Sequence, residues 1–206
     1  MKKYVALLMV VFVGIGVYAQ DDEEFKTIFN GEIQKVRGFG GPNMAFSVLS
    51  GEFAHLMGGG GGIILNDQLL LGGWGLGVTN DIPAKPYLDD NGDNYYKGLE
   101  LDYDIGGLWF GYIIKGKYPV HPVIHAQIGW GSAELTNRDG SKSGFNPDGI
   151  FVINPIVELE MNITQFFRLG VGANYRLNFG ANNLTQYSNS DFSGPGGFLS
   201  FKFGWF

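Results

Sequence analysis

Phe166-Phe167-Arg168-Leu169-Gly170-Val171-Gly172-Ala173-Asn174-Tyr175-Arg176-Leu177-Asn178-Phe179 alternates along its whole length. The odd positions from Phe167 are apolar or aromatic, and the even positions from Arg168 are arginine, glycine or asparagine. Strict period two predicts a β-strand, here one longer than the five or six residues usual in soluble sheets. One face meets an oily medium, and the other is polar and small.

The same pattern recurs on both sides of this stretch. Leu199, Phe201, Phe203 and Trp205 oppose Ser200, Lys202 and Gly204. Phe151, Ile153, Pro155, Val157, Leu159 and Met161 oppose Asn154, Glu158 and Glu160. Over 99–113, Leu99, Leu101, Tyr103, Ile105, Trp109 and Ile113 oppose Glu100, Asp102 and Asp104. Over 123–135, Ile124, Ala126, Ile128 and Trp130 oppose His125, Gln127 and Gly129. Three earlier runs, 36–49, 53–65 and 69–79, complete a set of eight strands. The run Gly58–Gly62 and the apolar Ile63-Ile64-Leu65 blur the faces of the second.

Connections between these runs alternate in length. Those at 80–97, 136–149 and 180–195 are long and polar, and fall on one end of an up-and-down meander. Those at 66–68, 115–122 and 162–165 are shorter and fall on the other end. The tight connection at 50–52 departs from the pattern. Short turns at one end and long loops at the other fit an antiparallel up-and-down transmembrane β-barrel. In a soluble sandwich the polar faces meet water; in a closed sheet in lipid they are enclosed, and closure pairs every backbone N–H and C=O.

Composition narrows the class further. The chain has 206 residues, 34 of them glycine and none cysteine, which excludes disulfides, thiol catalysis and thiolate-ligated metals. Mean hydropathy is only +0.02, and no run reaches the roughly 18 apolar residues of a spanning helix. Lys2 and Lys3, the apolar stretch 4–13 and the small residues Val17 and Ala19 before Gln20 have the layout of a cleavable signal peptide, residues 1–19. A retained N-terminal anchor is the alternative. Residues 20–35, opening on Asp21-Asp22-Glu23-Glu24, read as a short periplasmic segment, and 36–206 as the barrel. Losing Lys2 and Lys3 takes the formal charge from −6 to −8, which excludes nucleic acid as a natural partner.

The stretch Gly51-Glu52-Phe53 followed by Gly58–Gly62, and Ser188-Asn189-Ser190-Asp191 ahead of Phe201-Lys202-Phe203-Gly204, carry a family likeness. With the aromatic end Trp205-Phe206, the chain resembles the small eight-stranded outer-membrane β-barrel proteins of Gram-negative bacteria, a family usually left without an assigned function. The resemblance implies an outer-membrane location, contact with outer-membrane lipid, and Trp205 and Phe206 as the signal read by the barrel-assembly machinery. It supplies no catalytic motif.

Candidate chemistry follows from the faces. With even positions inward, the lumen gathers Glu100, Asp102, Asp104, Glu158, Glu160, Arg168, Arg176 and Lys202. Buried charges require partners, so this set reads as a salt-bridge network that plugs the lumen, with a gated ion path as the alternative. His121 lies between Pro119 and Pro122 and is expected to be exposed. His121 and His125 would stand about 13 Å apart on an extended strand, so no metal site is expected. His125, Ser132 and Glu134 would make a hydrolase only if folding brought them together. Asp89, Asn91, Asp93 and Glu100 match part of a calcium loop, but Asn94 replaces the required glycine. The acidic, aromatic stretch 87–96 is equally a recognition surface or an ordinary solvated loop. Neither Gly58–Gly62 nor Gly73-Trp74-Gly75-Leu76-Gly77 continues as a nucleotide-binding motif. No catalytic residue, metal or cofactor is assigned. The expected role is non-enzymatic, structural or in surface contacts through the outer loops, with a lipid-modifying enzyme or a narrow channel as alternatives.

Overall fold

The computed structural model describes residues 33, 35–88, 95–139 and 146–206. The expected signal peptide and most of the segment 20–35 lie outside the described residues. The long strands are β1 (Val36–Leu49), β2 (Glu52–Leu65), β3 (Leu69–Val78), β6 (Glu100–Ile113), β7 (Val120–Thr136), β8 (Asp148–Asn162), β9 (Phe167–Phe179) and β10 (Gly194–Gly204). Between β3 and β6 a two-stranded ribbon, β4 (Tyr87–Leu88) and β5 (Tyr95–Tyr96), stands apart from the main sheet. A single turn of helix, α1 (Asn189–Phe192), precedes β10.

The eight long strands close in the order β1-β10-β9-β8-β7-β6-β3-β2, and the pairings that define the closed sheet are all antiparallel. Closure leaves no sheet edge. The lengths of the connections sort as the sequence suggests. The hairpin at 50–51 is tight because Ser50 and Gly51 both adopt positive φ, 54° and 87°, which matches the twist of the flanking strands.

Alternation decides which side chains enter. On β9, Arg168, Asn174, Arg176 and Asn178 are buried while Val171, Tyr175, Leu177 and Phe179 are exposed. On β8, Asn154, Glu158 and Glu160 are buried opposite exposed Val157 and Leu159. The glycine run is strand throughout. Gly58, Gly60 and Gly62 sit opposite Asn43, Gly41 and Phe39 of β1, and Asn43 and Phe39 are buried inside. A Cβ on Gly60 would stand 2.8 Å from the Trp109 ring and 2.9 Å from Asn43 Nδ2. Glycine there makes room for lumen side chains.

Two expectations about facing are corrected. On β6 it is the apolar set that enters: Leu101, Tyr103, Ile105, Trp109 and Ile113 are buried. Glu100, Asp102 and Asp104 therefore lie on the outer face, where Asp102 sits opposite Glu134 and Asp104 opposite Ser132. The reason is the covered long-loop mouth. Ile82, Leu184, Tyr187 and Phe192 from the loops are buried there, so the upper lumen is an ordinary apolar core. The second correction is His121. Val120–Pro122 belongs to β7 and not to the preceding turn, so His121 faces inward and is buried.

Tight strand packing gives a direct test. At Gly107 a Cβ would overlap Ile128 O and Gly129 Cα of the neighbouring strand. Gly107→Ala is expected to lower unfolding stability by about 1–3 kcal/mol, read from the urea midpoint of the folded barrel; an unchanged midpoint would contradict this packing.

Candidate functional site

The lower lumen, toward the short turns, holds a hydrogen-bonded ionic cluster built from five strands. Lys202 of β10 places its Nζ 3.0 Å from Glu158 Oε2 and 2.5 Å from Glu160 Oε2, both on β8. Arg168 of β9 donates Nη1–H to Glu160 Oε1 at 2.9 Å. Ser200 of β10 donates its hydroxyl to Glu158 Oε1. The period-two spacing of Glu158 and Glu160, and of Ser200 and Lys202, puts each pair on one face of its strand. Gly170 leaves the space that Glu158 and Ser200 fill.

Two histidines that sequence reasoning set aside complete the cluster. Trp109 donates its indole N–H to His125 Nδ1 at 2.8 Å. Indole is a donor only, so Nδ1 accepts and the ring proton sits on Nε2, which faces Glu158 Oε2 at 2.9 Å. His121 meets an acceptor at each nitrogen, Glu160 Oε1 and the Tyr118 carbonyl, both at 3.1 Å. The signal available in advance was inward parity with Gln127 and Gly129; the prolines around His121 obscured it.

Above this cluster lie an amide chain and an apolar layer. Asn174 donates to Asn154 at 2.8 Å, and Asn154 donates to Gln127 at 3.0 Å. Phe39 and Phe198 pack edge-on against Trp109 and His125 respectively. Higher still, Arg176 has no carboxylate partner among the described residues. Its Nε donates to the Phe192 carbonyl at 2.8 Å, and its guanidinium lies 5.2 Å from the Tyr103 ring centre.

The long-loop mouth is closed by the connection before β10. Buried Asp148 accepts three backbone N–H groups, from Asn182 (2.8 Å), Asn183 (2.6 Å) and Leu184 (3.1 Å). Phe192 stacks on Tyr103 with centroids 5.8 Å apart. Lys85 forms an ion pair with Asp191 and donates its backbone N–H to Tyr187 Oη at 2.8 Å. Nothing in the sequence singled out Asp148, because a carboxylate that grips backbone has no motif.

Of the residues expected in one network, Glu158, Glu160, Arg168 and Lys202 are brought together. Arg176 stands apart under the cap, and Glu100, Asp102 and Asp104 lie outside the barrel wall. Ser132 and Glu134 also alternate outward, away from His125, so those three do not assemble. The ring of His125 reaches Trp109 and Glu158, while Ser200 reaches Glu158. No serine–histidine contact of the kind needed to activate a nucleophile exists among the described residues. Asp89, Asn91 and Asp93 lie outside the described residues. Trp205 is exposed against Phe166, and the Phe206 ring lies under the Arg168 guanidinium at 3.9 Å.

Neither a protein-family model nor a curated protein sequence matches the chain. Among solved structures it is similar to Neisserial surface protein A, with a TM-score of 0.54 and 16% sequence identity, over 82% of this chain and 96% of that one. At that identity the likeness is one of fold: a closed eight-stranded antiparallel barrel.

Removing one member of a buried ionic cluster strands the rest. Lys202→Met leaves Glu158 and Glu160 side by side and is expected to cost about 3–5 kcal/mol, measured by urea unfolding. A cost below about 1 kcal/mol, the scale of an exposed pair, would show that the ammonium is not the bridge. The cap has its own pH dependence. Burial alone would raise the Asp191 carboxyl, but the Lys85 ammonium and the N–H and hydroxyl of Ser188 hold it below the ordinary aspartate value of 3.8. A lowered acid stabilises the folded cap above that ordinary value and loses its contribution as pH falls through the folded one. Backbone amides of 182–192 should therefore lose protection, relative to their intrinsic exchange rates, below about pH 4 while the barrel stays protected, and Lys85→Met should produce the same loosening at neutral pH.

Proposed function

We propose that this chain is an outer-membrane β-barrel protein, exported by its N-terminal segment, with a structural or surface-contact role and no catalysis. One observation carries the reading: the two sides of the wall are sorted in opposite senses. Inside the lower lumen, ionised side chains are buried and mutually bonded. Outside at the same levels, Leu108, Phe110, Ile124, Val157, Leu159 and Val171 are exposed, Leu159 at 51% and Val171 at 50%. Water on that surface would be costly at about 25 cal/mol per Å² of apolar area; acyl chains remove the cost. Among the described residues of β6 and β7, outer carboxylates lie toward the long-loop end, at Glu100, Asp102, Asp104 and Glu134. That order suits a wall that leaves the bilayer and enters water. The fold likeness to Neisserial surface protein A supports the same reading.

In this arrangement the short turns face the periplasm and the long loops face outward, where the 80–97 and 136–149 connections are available for contacts. The 180–193 connection acts as a stopper. The filled lumen and its cap give little support to a solute channel, and a His125 whose Nδ1 is already taken by Trp109 gives little to a hydrolase. Partners in the assembly pathway would meet the exposed Trp205 and Phe203 on β10 and just beyond it.

Cell fractionation and gel mobility test the proposal together. The protein should partition with outer membranes and migrate faster unheated than boiled on SDS gels; recovery in the soluble periplasmic fraction would overturn it. Val157→Arg, on the exterior wall nearer the middle of β8, should cost about 2–4 kcal/mol of stability in lipid, against roughly nothing if that face meets water.

A further inference from the structure

The outer wall carries a shallow groove of about 470 Å³ across β2, β3, β6 and β7, in the long-loop half of the barrel. We propose that it holds one acyl chain of a membrane lipid whose head group carries a primary ammonium.

Missing side chains make the groove. Its floor is Gly75, Gly77 and Gly106, which alternate outward because Leu76 and Ile105 beside them are buried in the lumen. Gly75 stands opposite Gly59 on one side and Gly106 on the other, and the glycine column continues down β3 to Gly73, opposite Gly61. Met57 and Trp130, both exposed, bound the floor on its two sides. The packing of the wall does not require glycine along this column. A Cβ on Gly73 or Gly75 would make only ordinary contacts, 3.5 Å from Gly107 O and 3.8 Å from Ile105 O, and neither residue has a positive φ. Glycine within a strand gives up packing and marks a place where a ligand can approach the backbone closely.

Charge selects the head group. The Asp104 carboxylate lies over Gly77, in the place of the missing Cβ, and Asp104 is exposed at the upper end of the groove. Asp102 and Glu134 stand opposite one another one step nearer the long loops. Neither Asp102 nor Asp104 has a cation partner among the described residues. An anionic head group would add to this negative charge, whereas an ammonium answers it. Ser132, opposite Asp104, and Trp130 keep a hydroxyl and an indole N–H without hydrogen-bond partners among the described residues, and these can donate to the ester or phosphate oxygens of a lipid. The same carboxylates disfavour a second copy of the chain. A two-fold axis along the membrane normal would set Asp102 and Asp104 of both copies facing one another at one height.

The proposal rests on the lipid-facing wall proposed above, which fractionation and Val157→Arg, on β8 away from the groove, judge separately. Its own test is titration of the refolded protein in dodecyl maltoside with didecanoyl phosphatidylethanolamine and didecanoyl phosphatidylglycerol, which share chains and phosphate and differ in the ammonium. Backbone amide NMR shifts over 73–77, 104–106 and 130–132 report binding. Phosphatidylethanolamine should bind at least about fivefold more tightly, and Asp104→Asn should remove most of that preference. Gly75→Leu should block both lipids with the unfolding midpoint unchanged, because its Cβ has room; if that variant does not fold, Asp104→Asn carries the test alone. No saturable shift, equal affinity for the two lipids, a preference indifferent to Asp104→Asn, or shifts that survive Gly75→Leu would each overturn the proposal. A two-chain mass in native mass spectrometry that Gly75→Leu reduces to one chain would overturn it in favour of a second copy.

Discussion

The ammonium of Lys202 stands between the carboxylates of Glu158 and Glu160, deep inside a ring of paired strands. Two carboxylates on one strand face cannot remain ionised in a dry interior unless a cation reaches both. Lys202 does so from β10, which neighbours β9 and not β8, and so the bridge passes over the strand that carries Arg168. Register is thereby fixed across three strands: a slip by one residue would turn every charge of the slipped strand outward. Gly170 is part of the same constraint, because any side chain at that position would take the place of the Glu158 carboxylate.

The cluster also divides the barrel by height. Toward the short turns the interior carries the ionic cluster beside buried Ile64, Leu70 and Ile113, and the exterior is apolar; toward the long loops the interior is largely apolar around Arg176 and Asn178, while carboxylates appear outside. The two zones are stabilised by different physics. In the lower zone, mutual hydrogen bonding compensates for lost hydration. In the upper zone, Phe192, Tyr187 and Leu184 descend from the loop and bury apolar area as in a soluble core. Asp148 anchors that loop through three backbone donors. Arg176 bonds to the carbonyl of Phe192, so the lumen wall grips the cap by its main chain. The stopper belongs to the barrel's structure and is more than a surface loop.

The strands were legible in sequence to different degrees. β8, β9 and β10 announce both existence and facing, because their two faces differ sharply in polarity over their lower halves. β6 announces only its existence. Its odd face is apolar throughout, and in a membrane barrel that pattern points outward until one knows that the upper lumen is itself an apolar core. His121 was hidden for a local reason: Pro119 and Pro122 signal a turn, yet strand pairing begins at Val120 and carries the ring inward. The glycine run was ambiguous because glycine has no face to read, and only its pairing with β1 resolves it.

By itself, the sequence determined the fold class, the number of long strands, the split between short turns and long loops, and a set of eight candidate lumen charges that contains the four of the central cluster. Each of these rests on period-two polarity or on turn chemistry, which act over a few neighbouring residues. Tertiary structure alone decided that β6 turns its aspartates outward, that His125 and Trp109 join the cluster, and that Asp148 holds the cap. Those facts depend on which residues of distant strands share a level inside the closed wall. That level is set by register and by the loops that fill the mouth, and no local pattern encodes either.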